Sequence, residues 1–276
     1  MAAPSFDSSW STLISTFTSN LTVDTNKSYS HPALEGNSAA LNKTVDHTLL
    51  KLDATEAQFE QLYAEAAEFD FATVCVRPPH VASAVKALEG TAVGVASVVG
   101  FHEGTYSTEH KLAEAKESID AGASELDVVL NFPQLIAGEY AAVCTELQTI
   151  RSTTRGTTLK LILETSQLNR EQIIAACVIA GYAGFDFVKT STGFNGAGAS
   201  EENVRLMKAC CEQLHAQGVG EKLMKVKASG GVRTLNDAKI MLGAGAERLG
   251  TSGGVTIAKE GKEGKSSAGG SSSADY

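Results

Sequence analysis

Four charged side chains stand inside short apolar runs where a buried strand should carry none. Asp127 lies in Leu-Asp-Val-Val, Lys160 in Leu-Lys-Leu-Ile-Leu, Lys189 ends Phe-Asp-Phe-Val-Lys, and Lys227 sits in Lys-Val-Lys-Ala-Ser. Strands buried on both faces read as unbroken apolar runs, so each charge needs a reason. A single strand-end lysine can simply snorkel to solvent. Three lysines on neighbouring strands of one interior are another matter, because like charge and desolvation both disfavour the ammonium form. An amine pushed towards neutrality by a second cation is what imine formation with a carbonyl compound requires. Lys189 ends its run just before the small turn Thr-Ser-Thr-Gly at 190–193, which makes it the expected nucleophile. Lys227 is the expected perturbing cation. Asp127 either moves protons through a water or serves only as an ion-pair partner. Asp46, in Val-Asp-His-Thr, either binds hydroxyls or fixes a loop.

Two glycine-rich turns, Ser229-Gly-Gly-Val-Arg233 and Gly250-Thr-Ser-Gly-Gly254, offer backbone N–H groups that suit a phosphate. A third segment, Ser191 to Gly198, is expected to be a flexible loop able to close over a ligand. Cys75, in Val-Cys-Val, is either core filler or a pocket-lining thiol. His47 and His102 have no partner pattern and are read as structural or substrate-lining.

These residues need elements to hold them. From Thr44 onward short apolar runs alternate with longer amphipathic ones, the signature of βα units. Eight strands are predicted, over 44–48, 71–76, 92–99, 125–130, 159–165, 185–190, 225–229 and 248–252, with centres recurring about every 29 residues, close to the length of one βα unit. Asp53, Asn169, Ser200 and Thr234 are predicted helix N-caps, the last with Asp237 at the third position beyond it. Leu235, Ala238, Met241 and Leu242 form one apolar stripe. Eight units suit a closed (β/α)8 barrel, and no G-x-G-x-x-G follows the first strand to favour a doubly wound sheet. A single α/β domain of TIM-barrel class over 41–258 is therefore expected. Residues 1–40 form an N-terminal arm with one short docking helix around Trp10, Leu13 and Phe17, while 259–276 hold the end of the last helix and a Gly/Ser-rich flexible tail ending in Tyr276.

Composition narrows the classes. Against 23 Lys and Arg stand 32 Asp and Glu, a net charge of −9 with a pI near 5.2, which argues against a nucleic-acid surface. Cys75, Cys144, Cys177, Cys210 and Cys211 are scattered without a C-x-x-C pair, fitting reduced thiols and a cytoplasmic location. The histidines lack ligand spacing, so no metal is implied. No secretory or transit signal and no apolar run of about 18 residues is visible, so a membrane is not expected as a partner. The sequons at Asn20, Asn26 and Asn42 are then accidents of a Ser/Thr/Asn-rich arm.

Together, Val-Asp46-His-Thr48-Leu-Leu, Val-Cys75-Val, Glu-Leu-Asp127-Val-Val, Leu-Lys160-Leu-Ile-Leu-Glu-Thr, Phe-Val-Lys189-Thr-Ser-Thr-Gly-Phe and Lys227-Ala-Ser-Gly-Gly-Val-Arg-Thr resemble the deoxyribose-phosphate aldolase family. The similarity runs from about residue 41 to 254 and returns at the final tyrosine. The resemblance implies a cofactor-free and metal-free class I lyase of deoxyribonucleotide catabolism. Such an enzyme reversibly cleaves 2-deoxy-D-ribose 5-phosphate to D-glyceraldehyde 3-phosphate and acetaldehyde. By position Lys189 matches the Schiff-base lysine, Lys227 the lysine that lowers its pKa, and Asp127 with Lys160 the proton relay. Tyr276 matches a C-terminal tyrosine that reaches into the barrel and shuttles a proton. Asp46, Thr48, Cys75, Thr192, Gly193, Gly230, Gly231, Gly250, Ser252 and Gly253 match substrate-facing positions, those from 192 onward around the sugar phosphate. The chain departs from the family's pattern at Phe194, where some members have Lys, at Ala228, where many have Pro, and at Gly253, where a second Ser is usual. Expected partners are thus a small-molecule sugar phosphate and aldehyde, and the expected assembly is a monomer or homodimer. The alternatives are another class I barrel aldolase, transaldolase-like, and a non-catalytic phospho-sugar-binding barrel.

Overall fold

A computed structural model describes residues 2–264. Eight parallel strands close into a barrel in sequence order, with β1 hydrogen-bonded to both β2 and β8. They are β1 Val45–Thr48, β2 Thr73–Val76, β3 Gly94–Val99, β4 Glu125–Val129, β5 Thr158–Ile162, β6 Phe187–Lys189, β7 Lys225–Ser229 and β8 Arg248–Thr251. The helices are α1 Asp7–Asn20, α2 Ser38–Asn42, α3 Glu56–Phe69, α4 Val81–Ala87, α5 Thr108–Asp120, α6 Phe132–Ile136, α7 Tyr140–Thr153, α8 Arg170–Ala183, α9 Glu201–Ala216, α10 Leu235–Gly243 and α11 Gly254–Glu263. The barrel expected from the sequence is the barrel observed.

The predicted strands overrun most at β5 and β6. Glu164 turns to φ +58 and Thr165 begins a 3-10 turn, so the apolar run outlasts the extended backbone. Asn169, Ser200 and Thr234 cap α8, α9 and α10 as expected, and Thr234 forms a full capping box with Asp237. Asp53 does not cap α3. Thr55 does, because Gln58 stands three residues on and returns a bond to the Thr55 amide, satisfying two helix-end groups at once.

Period-2 alternation decides which strand residues face inward. Outward side chains join the large apolar core between sheet and helices, where α8 buries residues on nearly every side. Inward-facing positions hold the charged residues and, at the C-terminal mouth, a second apolar group of Leu50, Cys75, Ala96, Val98, Phe101, Val129 and Ile162, with Phe194 against it. One row of paired residues runs Ile162, Lys189, Lys227, Arg248 across β5 to β8. The next runs Ser229, Gly250, Asp46, Thr73 across β7, β8, β1 and β2. The N-terminal segment wraps the outside, where α1 buries Trp10, Ile14 and Phe17 and sets Trp10 edge-on to Tyr182 of α8 at 5.5 Å. Among the described residues no helix is long and apolar enough to cross a membrane.

Candidate active site

Asp127, on β4 and fully buried, is the centre of the interior charges. Its Oδ1 accepts from Lys160 Nζ at 2.6 Å, and its Oδ2 accepts from Lys189 Nζ at 2.8 Å and Lys227 Nζ at 2.7 Å. Four neighbouring strands thus deliver one carboxylate and three amines to one point. Lys227 also donates to Asp46 Oδ2 from the opposite wall. Lys160 reaches Glu125 at 2.6 Å, and Glu125 in turn receives Arg248 at 2.9 and 3.2 Å. Arg248, Glu125 and Lys160 close the N-terminal floor of the barrel.

At Lys160 and Lys227 the paired carboxylates outweigh the effect of neighbouring like charge. Burial works to lower Lys160 and Lys227, and Lys227 also lowers Lys160, but Asp127 and Asp46, joined at Lys160 by Glu125, outweigh this and raise both above the ordinary lysine range. Burial likewise works to raise Asp127, and its three cations hold it well below the usual carboxylate range. Asp46 is lowered in the same way, with burial opposed by Lys227 and Lys160. Asp127 therefore remains an anion that binds the lysine ends, and a proton taken from substrate has no favourable stay on it. Sequence reasoning missed Glu125 and Arg248, whose mutual contact exists only because the barrel closes.

Cys75 faces the same interior with no exposure, its thiol pushed up to about 12 by burial and by the Asp46 and Asp127 charges. Asp46, Cys75 and Asp127 bring one ligand-type atom each within 4.8 Å of the others, a spacing that would suit a metal ion. The Lys227 ammonium already bridges the two carboxylates and the thiol keeps its proton, so the donor set is occupied by a cation of the chain itself.

The expected phosphate residues divide. Gly230 and Gly231 take φ +89 and +80 after β7, and Gly253 caps α11 after β8 with its amide on Thr251 Oγ1 at 2.7 Å. Gly231 and Ser252 are exposed at the rim, and Gly193 is half-buried with φ +88. Gly230 packs against Gly198 with no space for a side chain on either, which joins the loops after β6 and β7. Gly250 is elsewhere: it lies within β8, and a Cβ there would sit 2.9 Å from Lys227 Cε inside the barrel. Thr192 commits both its amide and its hydroxyl to Glu164, so in this arrangement it fixes the loop rather than offering free donors. Thr48 Oγ1 donates to the Asp46 carbonyl at 2.9 Å. Tyr276 lies outside the described residues.

Glu164 was quoted in the sequence pattern without a role. It gathers Thr192 and the Asn195 amide, and Asn195 also donates to the His102 carbonyl, so three loops of the mouth share one set of bonds. Phe194 stacks on His102 at 5.2 Å and meets Phe101 edge-on at 5.1 Å. His102 is therefore part of the mouth wall. His47 points outward, pairing with Glu65 at 2.8 Å.

A carboxylate gripping three lysines at the C-terminal half of a barrel is where comparison with other proteins becomes decisive. Residues 41–260 match the profile of the DeoC/LacD family aldolases. The chain belongs to that family. It is 53% identical over 230 residues, 83% of each chain, to a deoxyribose-phosphate aldolase of Coccidioides immitis. A crystal structure from the same organism superposes with a TM-score of 0.86 at 48% identity, covering 92% of this chain and 97% of that one. A tetrameric deoxyribose phosphate aldolase from Aeropyrum pernix gives a TM-score of 0.73 at 31% identity, covering 83% and 96%. Family members of this kind are lyases acting on aldol bonds.

Proposed function

We propose that this chain reversibly cleaves 2-deoxy-D-ribose 5-phosphate into D-glyceraldehyde 3-phosphate and acetaldehyde through an imine on Lys189, in the breakdown of deoxyribonucleotides. The observation that carries the reading is the convergence of the Lys189, Lys160 and Lys227 amines on Asp127.

Among the described residues, the interior holds four basic side chains, Lys160, Lys189, Lys227 and Arg248, against the three carboxylates of Asp46, Glu125 and Asp127. A neutral amine at Lys189 therefore leaves the cluster balanced. That amine attacks C1 of the open-chain sugar, loss of water gives an imine, and a proton relayed through water from Lys227 converts it to an iminium. The C3 hydroxyl then passes its proton, through a water held by Asp127 and Lys227, back to the Lys227 amine. The C2–C3 bond breaks, its electron pair forms the C1–C2 double bond of an enamine, and glyceraldehyde 3-phosphate departs. Protonation at C2 and addition of water release acetaldehyde and restore Lys189.

Gly193, Gly230, Gly231, Ser252 and Gly253, at the ends of β6, β7 and β8, are the proposed phosphate cradle, with Thr192 holding its loop in place. Cys75 and Thr48 are proposed to line the pocket. Tyr276 is proposed as a proton shuttle on sequence resemblance. A monomer or homodimer in the cytoplasm is the proposed form; the five unpaired cysteines suit a reducing compartment.

Reduction with borohydride in the presence of acetaldehyde tests the central claim. An ethyl group on Lys189 is the expected result, and label mainly on Lys160 or Lys227 would overturn the assignment.

A further inference from the structure

Ser229 Oγ and Asp46 Oδ1, on inward-facing strand positions, are buried with no hydrogen-bond partner among the described residues and have no task in the chemistry above. They belong to one row. Ser229 pairs with Gly250, and Gly250 pairs with Asp46, so the two side chains flank a strand position that carries none, with Cα atoms roughly 10 Å apart at about 4.8 Å per strand spacing. The Ser229 side chain takes the space that a Cβ at Gly250 would need, so its hydroxyl reaches in front of Gly250 toward the Asp46 side of the barrel. Lys227, two residues before Ser229 on the same face, forms the floor: its Cε would lie 2.9 Å from the same added Cβ.

Nothing structural explains the hydroxyl. The end of β7 is already fastened by Thr190, whose Oγ1 donates to the Ser229 carbonyl at 2.9 Å and accepts from the Ser229 amide at 3.0 Å. Ser229 is only 2% exposed, and a buried hydroxyl without a partner costs stability that alanine would not. Asp46 spends one carboxylate oxygen on Lys227 and keeps the other bare.

We infer that Ser229 and the bare Asp46 oxygen, on either side of Gly250, form a slot for the substrate hydroxyl adjacent to the acceptor's carbonyl carbon, the C4 hydroxyl of 2-deoxyribose 5-phosphate. The inference rests on the substrate proposed above. The sugar then runs from Lys189 at C1 to the glycine turns after β7 and β8 at its phosphate. The C3 hydroxyl is taken up by the Asp127 group, and the next one falls beside Gly250. Ser229 is thereby a specificity-determining residue that favours 2-hydroxyaldehyde acceptors.

The test runs in the synthetic direction, with acetaldehyde as donor and two acceptors: glyceraldehyde 3-phosphate and 3-phosphooxypropanal, the same chain without the 2-hydroxyl. The wild-type chain should prefer the first by tenfold or more in kcat/KM, since a polar site left unpaired rejects the deoxy analogue. Ser229→Ala should cut kcat/KM for glyceraldehyde 3-phosphate by about 3- to 10-fold, the worth of one neutral hydrogen bond, and shrink the preference by the same factor. A wild-type ratio near one overturns the slot without any variant. So does a Ser229→Ala protein that melts like wild type and either loses equally on both acceptors or loses on neither. Failure of the wild type to make any 2-deoxyribose 5-phosphate would instead bring down the substrate reading, and the slot with it.

Discussion

Lys160 and Asp127 are register partners on β5 and β4, and their side chains meet at 2.6 Å with neither exposed to solvent. Lys160 thereby neutralises the oxygen of Asp127 that Lys189 and Lys227 do not use, and it carries Glu125 as well. Replacing it by leucine takes one cation away from both Asp127 and Glu125. Lys160→Leu should lose about 3–5 kcal/mol in urea unfolding, the usual cost of removing one partner of a buried pair. A loss under about 1 kcal/mol would mean that Asp127 and Glu125 are held by their other partners alone.

Lys189→Arg keeps the positive charge but not the chemistry, because a guanidinium does not form the imine. Turnover of 2-deoxyribose 5-phosphate should vanish and borohydride should add no ethyl group at position 189. Residual turnover above background would sink the nucleophile assignment.

Tyr276→Phe removes only a phenol oxygen. If that phenol carries the proton at the acetaldehyde carbon, turnover falls by roughly 10²–10⁴ while trapping at Lys189 persists. Wild-type turnover in the variant, with unchanged proton exchange at the acetaldehyde methyl, would move the whole proton path to the water held by Asp127 and Lys227.

Stability against pH should carry two opposite signatures. Burial would raise Asp46, Asp127 and Glu125, but the surrounding cations hold all three low, so their stabilisation is complete above about pH 4 and is lost as pH falls through the folded values. Glu164 is raised by burial, so its contribution is complete at low pH and declines as pH rises through its folded value. Urea titrations should therefore show the main acid loss only below about pH 4. Glu164→Gln should flatten whatever decline the wild type shows as pH rises above about 4, the ordinary glutamate value. A variant as steep as wild type would remove Glu164 as its source.

Trp10 is fully buried although it lies far in sequence from any strand. Trp10→Ala should destabilise the fold by about 3–5 kcal/mol through the cavity left against α8. The kcat/KM at a temperature where the variant is folded should change less than about twofold, because α1 packs on the outside. A large kinetic loss would show that the arm reaches the mouth.

The chain's own patterning carried much of this structure. Each predicted strand coincides with an observed one because period and punctuation are local properties, and Thr234 and Asn169 declare their helices by side chains that cap within three residues. Asp53 misled because Thr55 offers a complete box two residues later. The inward lysines were legible as anomalies. Their partners were less so: Arg248 meets Glu125 across 123 residues of sequence, and Glu164 meets Thr192 across 28, contacts made by closure of the barrel and the path of its loops. Gly250 was legible as a glycine but not as an inward-facing gap, since that depends on which side of β8 it occupies.

The floor formed by Arg248, Glu125 and Lys160 also makes the barrel a vessel with one door. Whatever enters past Phe101, His102 and Phe194 must leave the same way, and the two fragments of a cleaved sugar cannot depart through opposite ends. In the reaction proposed above, the fragment tethered to Lys189 sits deeper in the vessel than the one carrying the phosphate. Release in that reaction has a queue: the phosphorylated aldehyde goes first, and acetaldehyde follows.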